Sequence, residues 1–528
     1  MGSADFRLVR PVAVVGDVAF SRTSPKWVFN RTGTLVQVPA NTLAVTYDPS
    51  DLSKAPYALV EPASTNYWSS SDDFSQSIWN AGGAAKTPNA AVAPDGTMSA
   101  CLFDDTGVSS SMGVPARSFT ATASTMSVRF HTKSGGATNR AFLFYNVTDL
   151  ADLSQYTTDF SYGSGAASNP AWRVTALPNG WFELECTLTG LIVGKSYQAY
   201  YGRGGGAYDN SRWYMWGADL VDGTLGSHIT TTGGGSATRA ADVIAPGAGL
   251  VYSSVPITEA PYNAATAYAK DVVVYDPATY LTYQSSIAGN VNKPLTDTNS
   301  WIPLKKVVNR RLMFDRVVNS QTTAANEVTV LVQPGELANT LGVLNVNGSS
   351  ITVTQTDSGY SQTKSLVQHE VLNWYDWFYE EPIREGDVIF DGIPPYANSA
   401  LSISVINPGD IAAIGCCILG KARTIGQTAW DFTGGVLSYS TSSTDTFGNV
   451  EMVKRDNSKV LNFEVYIPKG FESAAYRLLA KEYTDVEIMI IGAEDYSMTY
   501  AYGFLGQWTV PVSAGGEKTA HIEFKGLV

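Results

Sequence analysis

Apolar and polar residues alternate along this chain in short runs, and that period of two rules out most helical folds. Ser127-Val128-Arg129-Phe130-His131 and Trp181-Phe182-Glu183-Leu184-Glu185-Cys186-Thr187-Leu188 each send every second side chain to one face. This is the spacing of a half-buried strand, whereas an amphipathic helix repeats every 3.6 residues. Similar runs recur between clusters of Gly, Pro and Asn, the residues that build turns. The 48 glycines and 24 prolines fit many turns, and an aromatic content of 11% suits strands better than helices. The pattern predicts an all-β chain of β-sandwich type, with one helix at 472–482, ESAAYRLLAKE.

At 528 residues the chain exceeds what one core can organise, because domains split beyond roughly 250 residues. Composition shifts mark the boundaries. Gly233-Gly234-Gly235-Ser236 and Ala245-Pro246-Gly247-Ala248-Gly249 are flexible stretches, and Trp301-Ile302-Pro303-Leu304 precedes a basic run from Lys305 to Arg311. These divide the chain into an N-terminal arm (1–56), a sandwich (57–250), a small β module (256–305) and a C-terminal β-rich region (306–528). The last is open to a further division into 306–425 and 426–528.

Charge and composition exclude several functions. With 35 Lys and Arg against 48 Asp and Glu, the net charge is −13, so there is no positive field to recruit a phosphate backbone and no nucleic-acid partner is expected. The longest apolar run, Ile411 to Gly420, is about half of the roughly 20 residues a membrane helix needs. The start, Met1-Gly2-Ser3-Ala4-Asp5-Phe6, lacks the basic-then-apolar order of a secretory signal, and Phe6 stands where a myristoylation motif wants Ser or Thr. Cys101, Cys186, Cys416 and Cys417 show no CxxC spacing and are expected as buried thiols.

Several segments approach catalytic motifs without completing one. Gly415-Cys416-Cys417-Ile418-Leu419-Gly420-Lys421-Ala422 approaches a phosphate-binding loop, but Ala422 replaces the Ser or Thr that holds magnesium. His369-Glu370-Val371-Leu372-Asn373 opens like a zinc-protease helix, yet Asn373 occupies the second histidine position. Gly202-Arg203-Gly204-Gly205-Gly206 lacks the flanking strand and helix of a dinucleotide site. No Gly-x-Ser-x-Gly elbow accompanies His131, His228, His369 or His521. No metal or organic cofactor is expected. One acidic and aromatic cluster remains, Trp374-Tyr375-Asp376-Trp377-Phe378-Tyr379-Glu380-Glu381 with Glu385, Asp387 and Asp391. A glycosidase needs two carboxyl groups flanking a bond, so this cluster carries the alternative of a glycan depolymerase; an aromatic strand beside a solvated acidic turn is the plainer account.

Leu59-Val60-Glu61-Pro62-Ala63-Ser64-Thr65-Asn66-Tyr67, followed by Asp73-Phe74 and Trp79, then Pro94-Asp95-Gly96-Thr97, Leu177-Pro178-Asn179-Gly180-Trp181-Phe182 and Trp213-Tyr214-Met215-Trp216-Gly217-Ala218-Asp219-Leu220, resembles the concanavalin-like, carbohydrate-binding-like jelly rolls of bacteriophage tail proteins. The resemblance implies a sandwich more firmly than a lectin. Strand tryptophans such as Trp181, Trp213 and Trp216 are core residues more often than sugar platforms.

A second stretch, Tyr262-Asn263, Ala267-Tyr268, Asp271 to Tyr275, Tyr280 to Gln284, Asn290 and Ser300-Trp301, resembles the small chitin-binding-type carbohydrate-binding module of bacterial chitinases. The resemblance implies sugar-stacking aromatics at Tyr268, Tyr280, Tyr283 and Trp301, since pyranose C–H faces pack on aromatic planes. A module this small cannot bury all its aromatics, so an exposed stacking pair is expected, with Trp301 as its leading member. Tyr280 and Tyr283, three apart, point to opposite faces of a regular strand. The family's Gly-Asp is replaced by Asp271-Val272, and Asp276-Pro277-Ala278-Thr279 enlarges a turn; both departures bear on ligand specificity.

Val308 to Asp315, Trp430-Asp431-Phe432 and Tyr502 to Gly506 resemble tail or baseplate proteins of phages, and 507–524 predicts a hairpin. Together the resemblances imply a non-enzymatic structural component of a phage tail tip, baseplate or fibre, assembled in the host cytoplasm and residing in the virion. Its implied partners are other tail or baseplate proteins, further copies of itself in a trimer or ring, and a host-surface glycan. The remaining alternative is a structural adaptor with vestigial carbohydrate modules.

Overall fold

A computed structural model describes residues 5–14, 16–106, 115–203, 211–355, 357–367, 374, 384–429, 432–444, 446, 450–484, 487–493, 496–511 and 518–527. Strand accounts for about 52% of the chain and helix for 6%, which makes it an all-β, multidomain protein. The α-helix foreseen at 472–482 spans Glu472–Thr484. All four cysteines are free thiols, three of them buried.

The chain divides into two compact units, Phe20–Ile244 and a second formed by Met1–Ala19 with Ala245–Val528. This corrects the expected arm at 1–56. Residues 5–11 belong to the second unit, because Phe6, Leu8 and Val9 are buried against strands there. Residues 20–56 belong to the sandwich. Phe20–Ser21 pairs with Val243–Ile244, and the fully buried Arg22 and Lys26 both bind Asp242, Arg22 at 2.9 Å.

The Phe20–Ile244 unit is a sandwich of two six-stranded sheets among the described residues. We number the strands of the first sheet β1 (Ala85–Ala91), β2 (Ala100–Asp104), β3 (Thr125–Ser134), β4 (Trp172–Leu177), β5 (Trp181–Thr189) and β6 (Arg212–Asp222). Their order is β4-β5-β3-β6-β2-β1. The facing sheet runs Ala116–Thr120, Ser196–Arg203, Asn139–Asn146, Thr158–Ser161, Ala166–Ala167, and its sixth strand, Ala151–Asp152, also pairs with Asn139–Asn146.

Alternation does what the sequence pattern requires. Met126, Val128 and Phe130 of β3 and Leu184, Cys186 and Leu188 of β5 enter the core between the sheets, with Trp68, Phe74, Trp79 and Trp213. The intervening residues of β3 and β5 therefore share the opposite face. A bulge between Phe130 and His131 leaves Gly217 of β6 as the extra residue. Its φ of +54° fits glycine in the left-handed position of such bulges. The bulge lets Trp216 and Asp219, three apart, face the same way as His131 and Arg129. Two hairpins then cover part of that face, Lys26–Phe29 with Leu35–Val38 and Val45–Thr46 with Tyr57–Ala58.

In the second unit, one 14-stranded sheet is organised around the strand Leu401–Thr428, which contains the near-miss phosphate loop as mostly buried strand. It pairs with Thr322–Gln333, Thr340–Asn347, Ser350–Gln355, Asp5–Pro11 and Asn457–Ile467. The strand crosses the expected break at 426 without interruption, and it supplies residues to a core around Val328, Val343 and Ile403 and to another around Phe463, Ile490 and Phe524. The hairpin foreseen at 507–524 is the antiparallel pair Tyr500–Thr509 and Lys518–Gly526. The small module forms its own four-stranded sheet from Ala260–Pro261, Val273–Tyr275, Leu281–Ser285 and Trp301–Val307.

Candidate functional site

Between the covering hairpins and the outer face of the first sheet lies a cleft of about 510 Å³, within the range of roughly 300–1,000 Å³ typical of small-molecule sites. Its lining includes the aromatics Trp27, Phe29, Tyr47 and Tyr57, with Arg129, Arg173, Thr175, Glu183, Glu185 and His228. The sheet register sets the floor. One rung across four strands reads Arg173–Glu185–Arg129–Asp219, and the next reads Thr175–Glu183–His131–Trp216.

The first rung alternates in charge, and its members bond to their neighbours. Arg129 Nε and Nη2 donate to Glu185 Oε1 at 3.1 and 2.6 Å, and Nη1 donates to Asp219 Oδ2 at 3.0 Å. Arg129 also lies 3.1 Å from Glu183. Arg173 closes the rung at 3.4 Å from Glu185 Oε2. His131 donates from Nδ1 to the Gly217 carbonyl at 2.7 Å and places Nε2 3.2 Å from Glu183. His228 bridges Asp219 at 2.9 Å and Asp72 at 2.7 Å.

These contacts shift the buried carboxyls down and one imidazole up. Burial alone would raise the Glu183 carboxyl, but the Arg129 guanidinium and His131 hold it down at about 2. Asp219 is driven far below the usual carboxylate range by His228 and Arg129 against the same burial penalty. His228 moves the other way. Burial would depress it, yet Asp219 and Asp72 raise it to about 10. The cleft wall is anchored by a similar network in which Glu61 accepts from Ser227 N and Oγ at 2.7 and 2.8 Å and pairs with Lys26 and Arg239. Trp27 Nε1 donates to Thr230 at 2.8 Å.

The residues singled out from sequence lie elsewhere and do not form the expected platform. Trp301 is 1% exposed and Tyr268 7%, and with Val274 they make the small module's core, against which Tyr283 and Tyr262 pack. Trp301 Nε1 donates to Lys293 O at 3.1 Å, and the Tyr268 hydroxyl donates to Asn263 O. The expected exposed pair led by Trp301 is therefore corrected: in so small a sheet the largest ring is what fills the interior. Tyr280 is half-buried. It sits outside the strand at φ +59°, stacks near-parallel with Tyr275 at 6.0 Å, lies 4.0 Å from the Arg311 guanidinium and donates to Asp17 at 2.6 Å. Tyr280 and Tyr283 therefore do not alternate along one strand, which begins at Leu281.

Of the acidic and aromatic cluster, residues 375–381 lie outside the described residues, as does the His369–Asn373 motif. Asp387 pairs with Lys459 at 2.5 Å and accepts from Asn345 N, and Asp391 pairs with Arg7 at 3.1 Å. Trp374 is 79% exposed.

No family model matches the chain, and no curated protein matches it. Among solved structures, similarity extends to the tandem CBM22 domains of Paenibacillus barcinonensis Xyn10C, with 9% identity, 64% of this chain and 90% of that chain covered and a TM-score of 0.18. A GH78 rhamnosidase of Bacillus sp. GL1 gives 9% identity, 82% and 36% coverage and a TM-score of 0.17. An allantoicase gives 11%, 61% and 77%, and 0.15. The all-β class rests on the strands themselves.

Proposed function

We propose that the chain is a glycan-binding protein whose site is the cleft on the outer face of β3–β6, and that it binds without catalysis. The observation that carries this is the joining of Trp27, Tyr47 and Tyr57 with a floor of fixed Arg and Glu side chains in one cleft. Aromatic planes accept sugar C–H faces, while oriented charged groups take the hydroxyls. Glu183 is held as a carboxylate, the opposite of the raised value a glycosidase acid requires.

The sequence resemblances extend this to a structural component of a bacteriophage tail, located in the virion and partnered with other tail or baseplate proteins. A homotrimer or ring then adds avidity to weak individual sites. The small module serves assembly or spacing in this reading, since its largest aromatics form its core. The test is a glycan array probed with the full chain and with Tyr57→Ala. Binding by the parent and loss in the variant supports the reading. No binding to any glycan leaves only the structural adaptor, and reducing ends released from host polysaccharide would establish the depolymerase.

A further inference from the structure

Three cationic side chains line the cleft, Arg129, Arg173 and His228. Two are already committed. Arg129 is shared among Glu183, Glu185 and Asp219, and His228 between Asp219 and Asp72, and both are buried. Arg173 differs: its side chain is 76% exposed, and its ion pair is with Glu185 at 3.4 Å.

The acceptor beside it is also partly open. Glu185 Oε1 takes two N–H groups from Arg129, while Oε2 faces Arg173. A carboxylate oxygen offers about two lone-pair sites and a guanidinium five N–H donors, so both members of the pair keep capacity for a ligand. Tyr57, 41% exposed, lines the same cleft. Its phenol is held above its ordinary value by burial and by the fields of Asp48, Glu61 and Glu183, with Arg173 acting in the opposite sense. The phenol thus lies within electrostatic reach of the Arg173 guanidinium and of Glu183 on the floor.

A donor with spare N–H groups next to an acceptor with spare lone pairs matches a hydroxyl, which gives one hydrogen bond and takes another. Two vicinal hydroxyls match it better, one on each partner. A ligand carboxylate would satisfy Arg173 but would enter a cleft that already contains Asp48, Glu61, Glu183 and Glu185, on a chain of net charge −13. A ligand ammonium would satisfy Glu185 and meet Arg173.

Resting on the reading of the cleft as a glycan site, we infer that its ligand is an uncharged saccharide, held by a vicinal hydroxyl pair bridged between Arg173 and Glu185 and stacked on Tyr57. Arg173 is then the specificity-determining residue of the site. Its exposure lets it be replaced without disturbing the buried network behind it.

The test is calorimetric titration of the full chain with three sets of oligosaccharides: neutral ones bearing vicinal diols, uronic-acid ones and glucosamine ones. Neutral sugars should bind at least about tenfold more tightly than either charged set, and Arg173→Met should weaken them by about tenfold or more, the usual effect of losing a charge-assisted hydrogen bond. A deoxy analogue lacking one hydroxyl of the pair should lose the same factor against the parent protein and little further against Arg173→Met. Melting curves establish that the variant is folded. Tighter binding of an acidic or amino sugar, or unchanged neutral affinity in Arg173→Met, would overturn the inference and leave the glycan site standing. Failure of every sugar to bind the parent would overturn both.

Discussion

Arg129 and Asp219 stand opposite each other on neighbouring strands, and Arg129 Nη1 lies 3.0 Å from Asp219 Oδ2 with both side chains almost wholly withdrawn from water. Two further carboxylates, Glu183 and Glu185, share the same guanidinium. Arg129→Met should therefore leave Asp219, Glu183 and Glu185 to His228, His131 and Arg173 alone and destabilise the sandwich by about 3–5 kcal/mol, the cost of breaking a buried pair by removing one partner. Denaturant unfolding of the full chain measures this. A loss below about 1 kcal/mol would mean that water reaches the network.

Acid and alkali should both weaken this unit, for opposite reasons. His228 rises from 6.5 to about 10 on folding, so its contribution is complete below pH 6.5 and disappears as pH climbs through 10. Glu183 falls from 4.5 to about 2, and Asp219 falls further below 3.8. Their contributions are complete above pH 4.5 and disappear as pH drops through those lowered values. Scanning calorimetry should show a plateau in melting temperature between about pH 4.5 and 6.5, with a decline on each side. A flat profile from pH 6.5 to 10 would contradict the His228 bridge.

Gly202 has φ +91°, and a methyl group placed on it would sit 2.6 Å from the Trp213 indole. Gly202→Ala combines backbone strain with overpacking, each costing about 1–3 kcal/mol. Because Trp213 is part of the sandwich core, near-ultraviolet circular dichroism should change along with stability. An unchanged spectrum and melting curve would show that the core has room there.

Trp301→Ala should unfold the small module without removing a sugar contact. Truncating a buried Trp costs about 3–5 kcal/mol, more than a three-residue core with its satellite tyrosines is able to lose. Limited proteolysis should open new cuts within 260–307 while glycan binding at the cleft persists. Loss of glycan binding from a module that stays protease-resistant would return Trp301 to the role the sequence suggested.

The strands were legible because period two is local. β3 and β5 lie over the alternating runs read from the sequence, and the helix lies over the one segment with helical composition. The cleft was not legible, though its signal was present: Arg129 and His131 on one run face Glu183 and Glu185 on another. Charged residues at alternate positions usually mean a wet face, and only the covering hairpins from 26–58 convert this one into a lined cleft. The small module misled for the converse reason. Aromatic spacing says which residues a ligand needs, but the interior of a tiny sheet claims the largest rings first, and pairing of Tyr283 with Pro303 cannot be read from spacing.

The strand Asp5–Pro11 pairs with Gly420–Gln427 and Met489–Ile491, and this arrangement dictates an order of birth. During translation at roughly 5–20 residues per second, that strand waits on the order of a minute for partners roughly 400 positions later. Phe6, Leu8 and Val9 spend that interval without the sheet that shelters them. The sandwich at 20–244 draws its strand pairs from within itself and is free to fold meanwhile. A nascent chain arrested between the two events would carry a finished sandwich beside an orphaned, adhesive strand, the species that holding chaperones would have to shield.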